Sequence, residues 1–256
     1  MPAVQIPSPI ADAVGLAHPS WQPILTRGLE ALAAAQPGYL AQLAASAYLP
    51  TEQRLFAAFR LPRNEVRHVL VGEGPYPRAE SATGVCFMDG AVGSLWCDTG
   101  LSKPVNKATS LRNFMKMLLV TEGRLSADDT GGAAMAPVAQ AARADGTIQT
   151  LRDLEHNLIG QGFLLLNASL VFRKEVAPAQ DARAWLPFLQ TVLAALADLP
   201  APPTLVLWGK IAEQLTRLPE TARLPQVCSE HPYNLSFITH PGMQDFFRPM
   251  RLLRAP

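Results

Sequence analysis

The stretch His68-Val69-Leu70-Val71-Gly72-Glu73-Gly74-Pro75-Tyr76-Pro77 decides how this 256-residue chain is read. Its first four residues form an apolar run rich in β-branched side chains, the pattern of a strand buried on both faces. The Gly/Pro cluster that follows ends the strand at once, because proline cannot donate to a ladder and glycine adds nothing to pack. A buried strand breaking into a loop with an acid and an aromatic is where open α/β sheets place their ligand sites. Alone, the segment fits a plain βα turn equally well. Three further segments decide between the two.

Phe163-Leu164-Leu165-Leu166 is a second buried run and leads straight into Asn167. Leu205-Val206-Leu207-Trp208 is a third, ended by Gly209. Gln226-Val227-Cys228 is a shorter fourth, leading into Ser229-Glu230-His231-Pro232-Tyr233-Asn234-Leu235-Ser236. Helical spacing fills the intervals. It predicts helices over 21–45 with a break at Pro37-Gly38, and after residue 50 through Leu55, Phe56 and Phe59. Further helices are expected from 109, with Ser110 as N-cap candidate, over 151–159, over 184–199, from 210 to about Leu218, and over 243–253. Strands separated by helices imply an α/β fold, a three-layer α/β/α sandwich on a four-stranded, mainly parallel sheet. The chain reads as one domain over 1–256, with 1–65 an N-terminal helical part. Residues 1–20 are Pro-rich and expected to lie on the surface as an arm. Residues 123–146 are rich in Ala, Gly and Asp, and are expected to form a mobile insertion with a short Ala-rich helix.

Composition narrows the function classes. Hydrophobic residues make up 48% and charged residues 17%, which excludes disordered and fibrous chains. A net charge of +1 supplies no global attraction to nucleic acid, so such a site must be a local patch. Cys86, Cys97 and Cys228 are scattered and odd in number, which argues against a metal or iron–sulfur centre and suits a reducing cytoplasm. No Lys or Arg precedes Arg27, so no signal peptide is expected. No apolar run is long enough to span a membrane.

The strand ends bring together Glu73 and Tyr76, then Asn167, then His231. Polar groups gathered at the carboxyl edge of a parallel sheet are a site by default, and with Phe87 these residues are expected to line one pocket. At these residues the chain resembles the uracil-DNA glycosylases over nearly all its length, the main branch (family 1) most of all. Gly72-Glu73-Gly74-Pro75-Tyr76 is similar to the G-Q-D-P-Y water-activating motif, and Thr83-Gly84-Val85-Cys86-Phe87 to the segment ending in the Phe that stacks on uracil. Ser110-Leu111-Arg112-Asn113 resembles the start of the helix after the DNA-pinching loop. Leu164-Leu165-Leu166-Asn167 resembles the strand whose Asn reads uracil, and Leu205-Val206-Leu207-Trp208-Gly209 the third strand. His231-Pro232-Tyr233-Asn234-Leu235-Ser236 is similar to the H-P-S-P-L-S loop whose Leu enters the duplex.

The departures are specific. Gly74 stands where the water-positioning Asp is expected, and Pro77 where the family has His. Tyr233 and Asn234 replace Ser and Pro, and the pinching loop is reduced to Pro104-Val105-Asn106-Lys107. Glu73 resembles another branch, with G-E-A-P-G, but that branch holds an iron–sulfur cluster through four cysteines and this chain has three.

The resemblance implies excision of uracil or a related deaminated base from single- or double-stranded DNA, after the target nucleotide leaves the base stack. Leu235 would fill the gap and Phe87 would be the stacking platform. The Asn167 amide would pair with N3–H and O4, and Tyr76 would wall off a thymine methyl. His231 would donate to O2, where negative charge develops. Glu73 is the one acid in the motif able to act on the far face of the sugar. Ser110, Lys103, Lys107 and Ser236 are candidate contacts to the DNA backbone, with Arg248 and Arg251 in the surrounding basic surface. No cofactor or metal is implied, and a monomer is expected. Each residue also has a plainer reading: Phe87 as core, Asn167 as a cap on its turn, Tyr76 as a packed turn aromatic, His231 as a structural histidine and Glu73 as a solvated acid. Gly74 favours a catalytically inactive DNA-binding or partner-binding module instead, whereas retention of Phe87, Asn167 and His231 together favours an enzyme. An enzyme acting on another nucleobase substrate is a third possibility.

Overall fold

A computed structural model describes residues 5–255. Its strands are β1 (His68–Gly72), the two-residue pair β2 (Trp96–Cys97) and β3 (Gly100–Leu101), β4 (Phe163–Asn167), β5 (Thr204–Trp208) and β6 (Gln226–Ser229). Helices α1 (Ser8–Gly15), α2 (Gln22–Ala35), α3 (Tyr39–Ala44), α4 (Lys103–Lys107) and α5 (Thr109–Thr121) lie in the first half. Helices α6 (Gly132–Ala142), α7 (Leu151–Gly160), α8 (Pro178–Ala197), α9 (Lys210–Leu215) and α10 (Pro241–Phe247) follow. The four apolar runs form one parallel sheet in the order β4-β1-β5-β6, as the sequence predicts. β1 and β4 pair in parallel with Val69 opposite Leu164 and Gly72 opposite Asn167. Every residue of β4 is buried, whereas β6 is an edge strand whose side chains alternate between exposed and half-buried.

The chain divides into two compact units. The first comprises Met1–Gly90, Gly162–Val206 and Glu213–Gln226. In it α2 packs on α8, and Gly28 makes the approach possible, since a Cβ there would lie 2.7 Å from the Phe188 ring. Trp21 meets Phe59 and Trp185 meets Phe188, each with ring centroids 5.1 Å apart. A buried polar cluster sits alongside. Asp181, 1% exposed, accepts from the Tyr39 hydroxyl at 2.6 Å and from Arg173 at 2.5 Å. Trp185 Nε1 donates to the Tyr39 oxygen at 3.1 Å. Burial, then the Asp181 carboxylate, pushes the Tyr39 phenol far above its ordinary value.

Three expectations in this unit are corrected. The helix predicted after residue 50 is a 3₁₀ turn over Arg54–Phe56, because Glu52 and Gln53 take positive φ of 59° and 56° and interrupt an α path. Leu55, Phe56 and Phe59 are nevertheless buried. The expected surface arm contains α1, which buries Ile10, Ala13 and Val14, while residues 1–4 of it lie outside the described residues. The predicted helix over 184–199 starts earlier, at Pro178, a residue pre-set for a first helical turn.

The second unit comprises Ala91–Gln161, Leu207–Ala212 and Val227–Pro256. Its core gathers Phe114, Trp208, Phe237 and Phe247, with Phe114–Phe247 and Trp208–Phe237 centroids 5.1 and 5.4 Å apart. A capping box between Thr150 and Asp153 starts α7. Ser110 is not the N-cap of α5. Ala108 holds that position with no side-chain bond, because the chain turns directly out of α4. The segment 104–107, expected to be a reduced loop, lies within α4, which is capped by Ser102, whose hydroxyl accepts from Val105 N at 3.4 Å. The tail helix ends at Phe247 instead of 253, followed by a 3₁₀ turn over Arg248–Met250 and by Arg251 at φ 49°. Residues 123–146 carry the expected Ala-rich helix, α6. It buries Met135, Val138, Ala139 and Ala142, since alanines let its backbone pack closely. Arg124 donates to Asp145 and Thr147, each at 2.8 Å.

Candidate functional site

In the first unit the end of β1 and the end of β4 lie side by side, which sets Gly72 next to Asn167. Gly72 must be glycine: a Cβ there would lie 2.5 Å from Cys86 Sγ and 3.1 Å from Asn167 Oδ1. The two chains continue in register past the sheet, with Ala168 N donating to Gly72 O at 2.8 Å and Ser169 N to Glu73 O at 3.1 Å. Backbone bonds therefore hold this turn, and the Asn167 side chain does not cap it. Asn167 is 5% exposed, and its amide has no hydrogen-bond partner among the described residues.

Three of the other predicted residues surround the same turn. Cys86 N donates to Leu165 O at 3.0 Å, tying the 83–87 segment to β4. This holds Phe87 half-buried at φ 68°, a left-handed conformation that costs a non-glycine residue about 1–2 kcal/mol. Strain of this kind persists where the surroundings over-determine it, and functional sites are where it collects. Burial raises the Tyr76 phenol well above its ordinary value, with Cys86 and then Asp89 adding to the shift, so the Tyr76 hydroxyl is neutral. Asp89 is itself buried and lies 3.5 Å from Arg78. Glu73, in contrast, is exposed. Gly74 is not at positive φ, and a Cβ on it would meet Ser169 O at 3.6 Å and Ser169 Cβ at 3.8 Å, which is ordinary contact.

In the second unit β5 ends in Gly209, at φ 61°, whose N–H donates to Ser229 O at 2.9 Å. His231 packs over it, so that a Cβ on Gly209 would lie 2.8 Å from His231 Cβ. Tyr233 N donates to His231 Nδ1 at 3.1 Å. An N–H pointing into Nδ1 makes that nitrogen the acceptor, so in a neutral imidazole the ring proton sits on Nε2. Asn113, 0% exposed, donates through Nδ2 to the carbonyls of Pro232, Tyr233 and Asn234 at 2.7, 3.2 and 3.3 Å. Its Oδ1 accepts from Arg112 Nε at 3.3 Å. The loop is thereby clamped from beneath, while Tyr233 and Leu235 project from it, each 67% exposed.

The proposed backbone contacts are spread over this unit. Lys103 and Lys107 are exposed at the two ends of α4, and Ser110 is half-buried in the first turn of α5. Ser236 is exposed and hydrogen-bonds the Glu230 carboxylate, whose Oε2 lies 3.7 Å from His240 Nε2. Arg248 lies 3.4 Å from Asp245, and Arg251 is exposed. Asn113 escaped the sequence reading. The signal was a polar residue inside the apolar face of α5, next to Phe114 and two positions from Leu111.

No family model matches the chain. A uracil-DNA glycosylase of Nocardioides is 30% identical over 242 residues, covering 93% of this chain and 89% of that one. Another, from Corynebacterium glutamicum, is 28% identical over 229 residues and covers 86% and 81% of the two chains. Among solved structures, the wild-type UNG from Nitratifractor salsuginis superposes with a TM-score of 0.87 at 38% identity, covering 97% of each chain.

Proposed function

The chain belongs to the uracil-DNA glycosylase family, and from that premise we propose that it excises uracil from DNA by hydrolysing the N-glycosidic bond of a flipped-out nucleotide. Such an enzyme opens base excision repair. The observation that carries the reading is Asn167, a buried residue whose amide has no hydrogen-bond partner among the described residues. Its NH₂ can donate to uracil O4 while its carbonyl accepts from N3–H. In this reading Phe87 stacks on the base and Tyr76 excludes a 5-methyl group. His231 donates from Nε2 to O2 as the uracil anion forms, the kind of interaction that stabilises a transition state most. Leu235 fills the vacated stack, and Lys103, Lys107, Ser110 and Ser236 hold the phosphates. In this reading the chain is nearest the main branch of the family, which the order of its motifs supports. Free Cys97 and Cys228, both reached by solvent, suit a reducing cytoplasm.

Catalysis is slow in this reading. Gly74 has no carboxylate to orient water, and the neighbouring Glu73 is exposed. The same observation favours a second reading, a DNA-binding module without activity. Single-turnover incubation with uracil-containing oligonucleotides separates the two. Slow formation of alkali-labile sites, slower still in His231→Ala and Asn167→Asp, is the expected result. Binding without strand scission, in wild type and in folded Gly74→Asp alike, leaves the module reading standing.

A further inference from the structure

Three large apolar side chains are well exposed among the described residues, and two of them, Tyr233 and Leu235, stand two positions apart on one loop. The rest of that loop is rigid. Asn113 bonds three consecutive carbonyls beneath it, and Tyr233 N is bonded to His231. Asn234 N donates to His231 O at 2.9 Å, closing the turn. The Tyr233 backbone is therefore committed on both its N–H and its carbonyl, while its ring has no aromatic or hydrogen-bonding partner among the described residues. A rigid backbone that holds an aromatic ring out in water pays no ordering cost when a flat partner arrives. Exposed rings on nucleic-acid-binding proteins find that partner in the face of a base, and the contact tolerates any sequence.

We propose that Tyr233 is a base-stacking residue that takes the base left unpaired when the target nucleotide leaves a duplex, acting beside Leu235. This rests on the uracil-excision reading and adds to it a residue that distinguishes duplex from single-stranded substrate. Leu235 supplies volume to the vacated position. Tyr233 supplies a π face to the unpaired base across from it, a base that exists only in duplex DNA. The two side chains divide the work of offsetting the lost pairing and stacking.

The test is a comparison of uracil release from single-stranded and duplex oligonucleotides by wild type, Tyr233→Ala and Tyr233→Phe. Removing the ring is expected to lower the duplex-to-single-strand ratio of kcat/KM roughly tenfold, mainly through KM on duplex, since base–aromatic stacking is worth a factor of about 5–150. Phe keeps the face and restores the ratio. A duplex carrying 2-aminopurine opposite uracil reports the contact directly: its emission, low in the free duplex, rises when the uracil leaves the stack, and rises less with wild type and Tyr233→Phe than with Tyr233→Ala. Wild type that releases uracil, with the same ratio and the same emission in Tyr233→Ala, overturns the stacking role and leaves the excision reading intact. Wild type that neither releases uracil nor changes the emission overturns both.

Discussion

Placing a carboxylate at residue 74 is the perturbation whose outcome the structure defines most sharply. Gly74 has ordinary, non-left-handed φ, so an Asp there avoids the 1–2 kcal/mol (about) that a left-handed site imposes. The new Cβ meets only Ser169 O at 3.6 Å and Ser169 Cβ at 3.8 Å, and nothing has to move. Restricting a glycine in the unfolded chain returns about 0.4–1 kcal/mol, so Gly74→Asp is expected to fold with stability within about 1 kcal/mol of wild type. A positioned general base contributes about 10²–10⁴ in rate, equivalent to about 3–5 kcal/mol of barrier. The assay is single-turnover uracil release, with urea unfolding as the control for folding and Gly74→Asn as the isosteric control that cannot take a proton. Asp is expected to accelerate release by at least tenfold, and Asn is expected to leave the rate near wild type. A base works only when deprotonated, so the gain should be present above the ordinary Asp pKa of about 3.9 and should vanish as pH falls through it. A folded Gly74→Asp that cleaves at the wild-type rate at every pH refutes the argument that a missing carboxylate limits this protein.

Other substitutions test the supports of the site. Gly209→Ala combines a φ of 61° with a Cβ 2.8 Å from His231 Cβ, so it should cost about 1–2 kcal/mol in urea unfolding and lower kcat more than KM by displacing the imidazole. Asn113→Ala strips three carbonyls of their donor, at a cost of about 1–3 kcal/mol, and should speed amide hydrogen exchange across 232–235 before it changes the exchange of β1 or β4. Asp181→Ala removes the acceptor of Arg173 and of the Tyr39 O–H in the core, so the urea midpoint should fall by the equivalent of about 3–5 kcal/mol; a loss under 1 kcal/mol would show the cluster to be dispensable.

Much of this was legible in the residues, for identifiable physical reasons. β1, β4 and β5 are short apolar runs because both faces of a parallel sheet are covered, and burial on two faces leaves a sequence signature that one-sided burial lacks. The places of Asn167 at the end of β4 and of His231 two residues past β6 were legible because Asn167 follows an apolar run directly and His231 follows a shorter run closely. What was not legible depends on distant partners or on backbone states. Leu55, Phe56 and Phe59 read as a helix face, and nothing in Glu52-Gln53 announces the two positive φ angles that break it. Asn113 looked like one more helix residue because the carbonyls it holds are 119 to 121 positions away. The two-residue strands β2 and β3 are too short for any periodicity to show. The freedom of Gly74 to accept a side chain likewise depends on Ser169, almost a hundred residues on.

The central claim is that a buried, unpartnered Asn167 waits for the edge of uracil, and the most direct test is a single-turnover competition between bases. Wild-type protein is incubated with oligonucleotides identical except for uracil, thymine or cytosine at one position, and the released free base is identified by mass. Release of uracil alone, with Asn167→Asp losing that preference, is the predicted result. Equal release of thymine, or no release of any base by wild type and by folded Gly74→Asp, would contradict it.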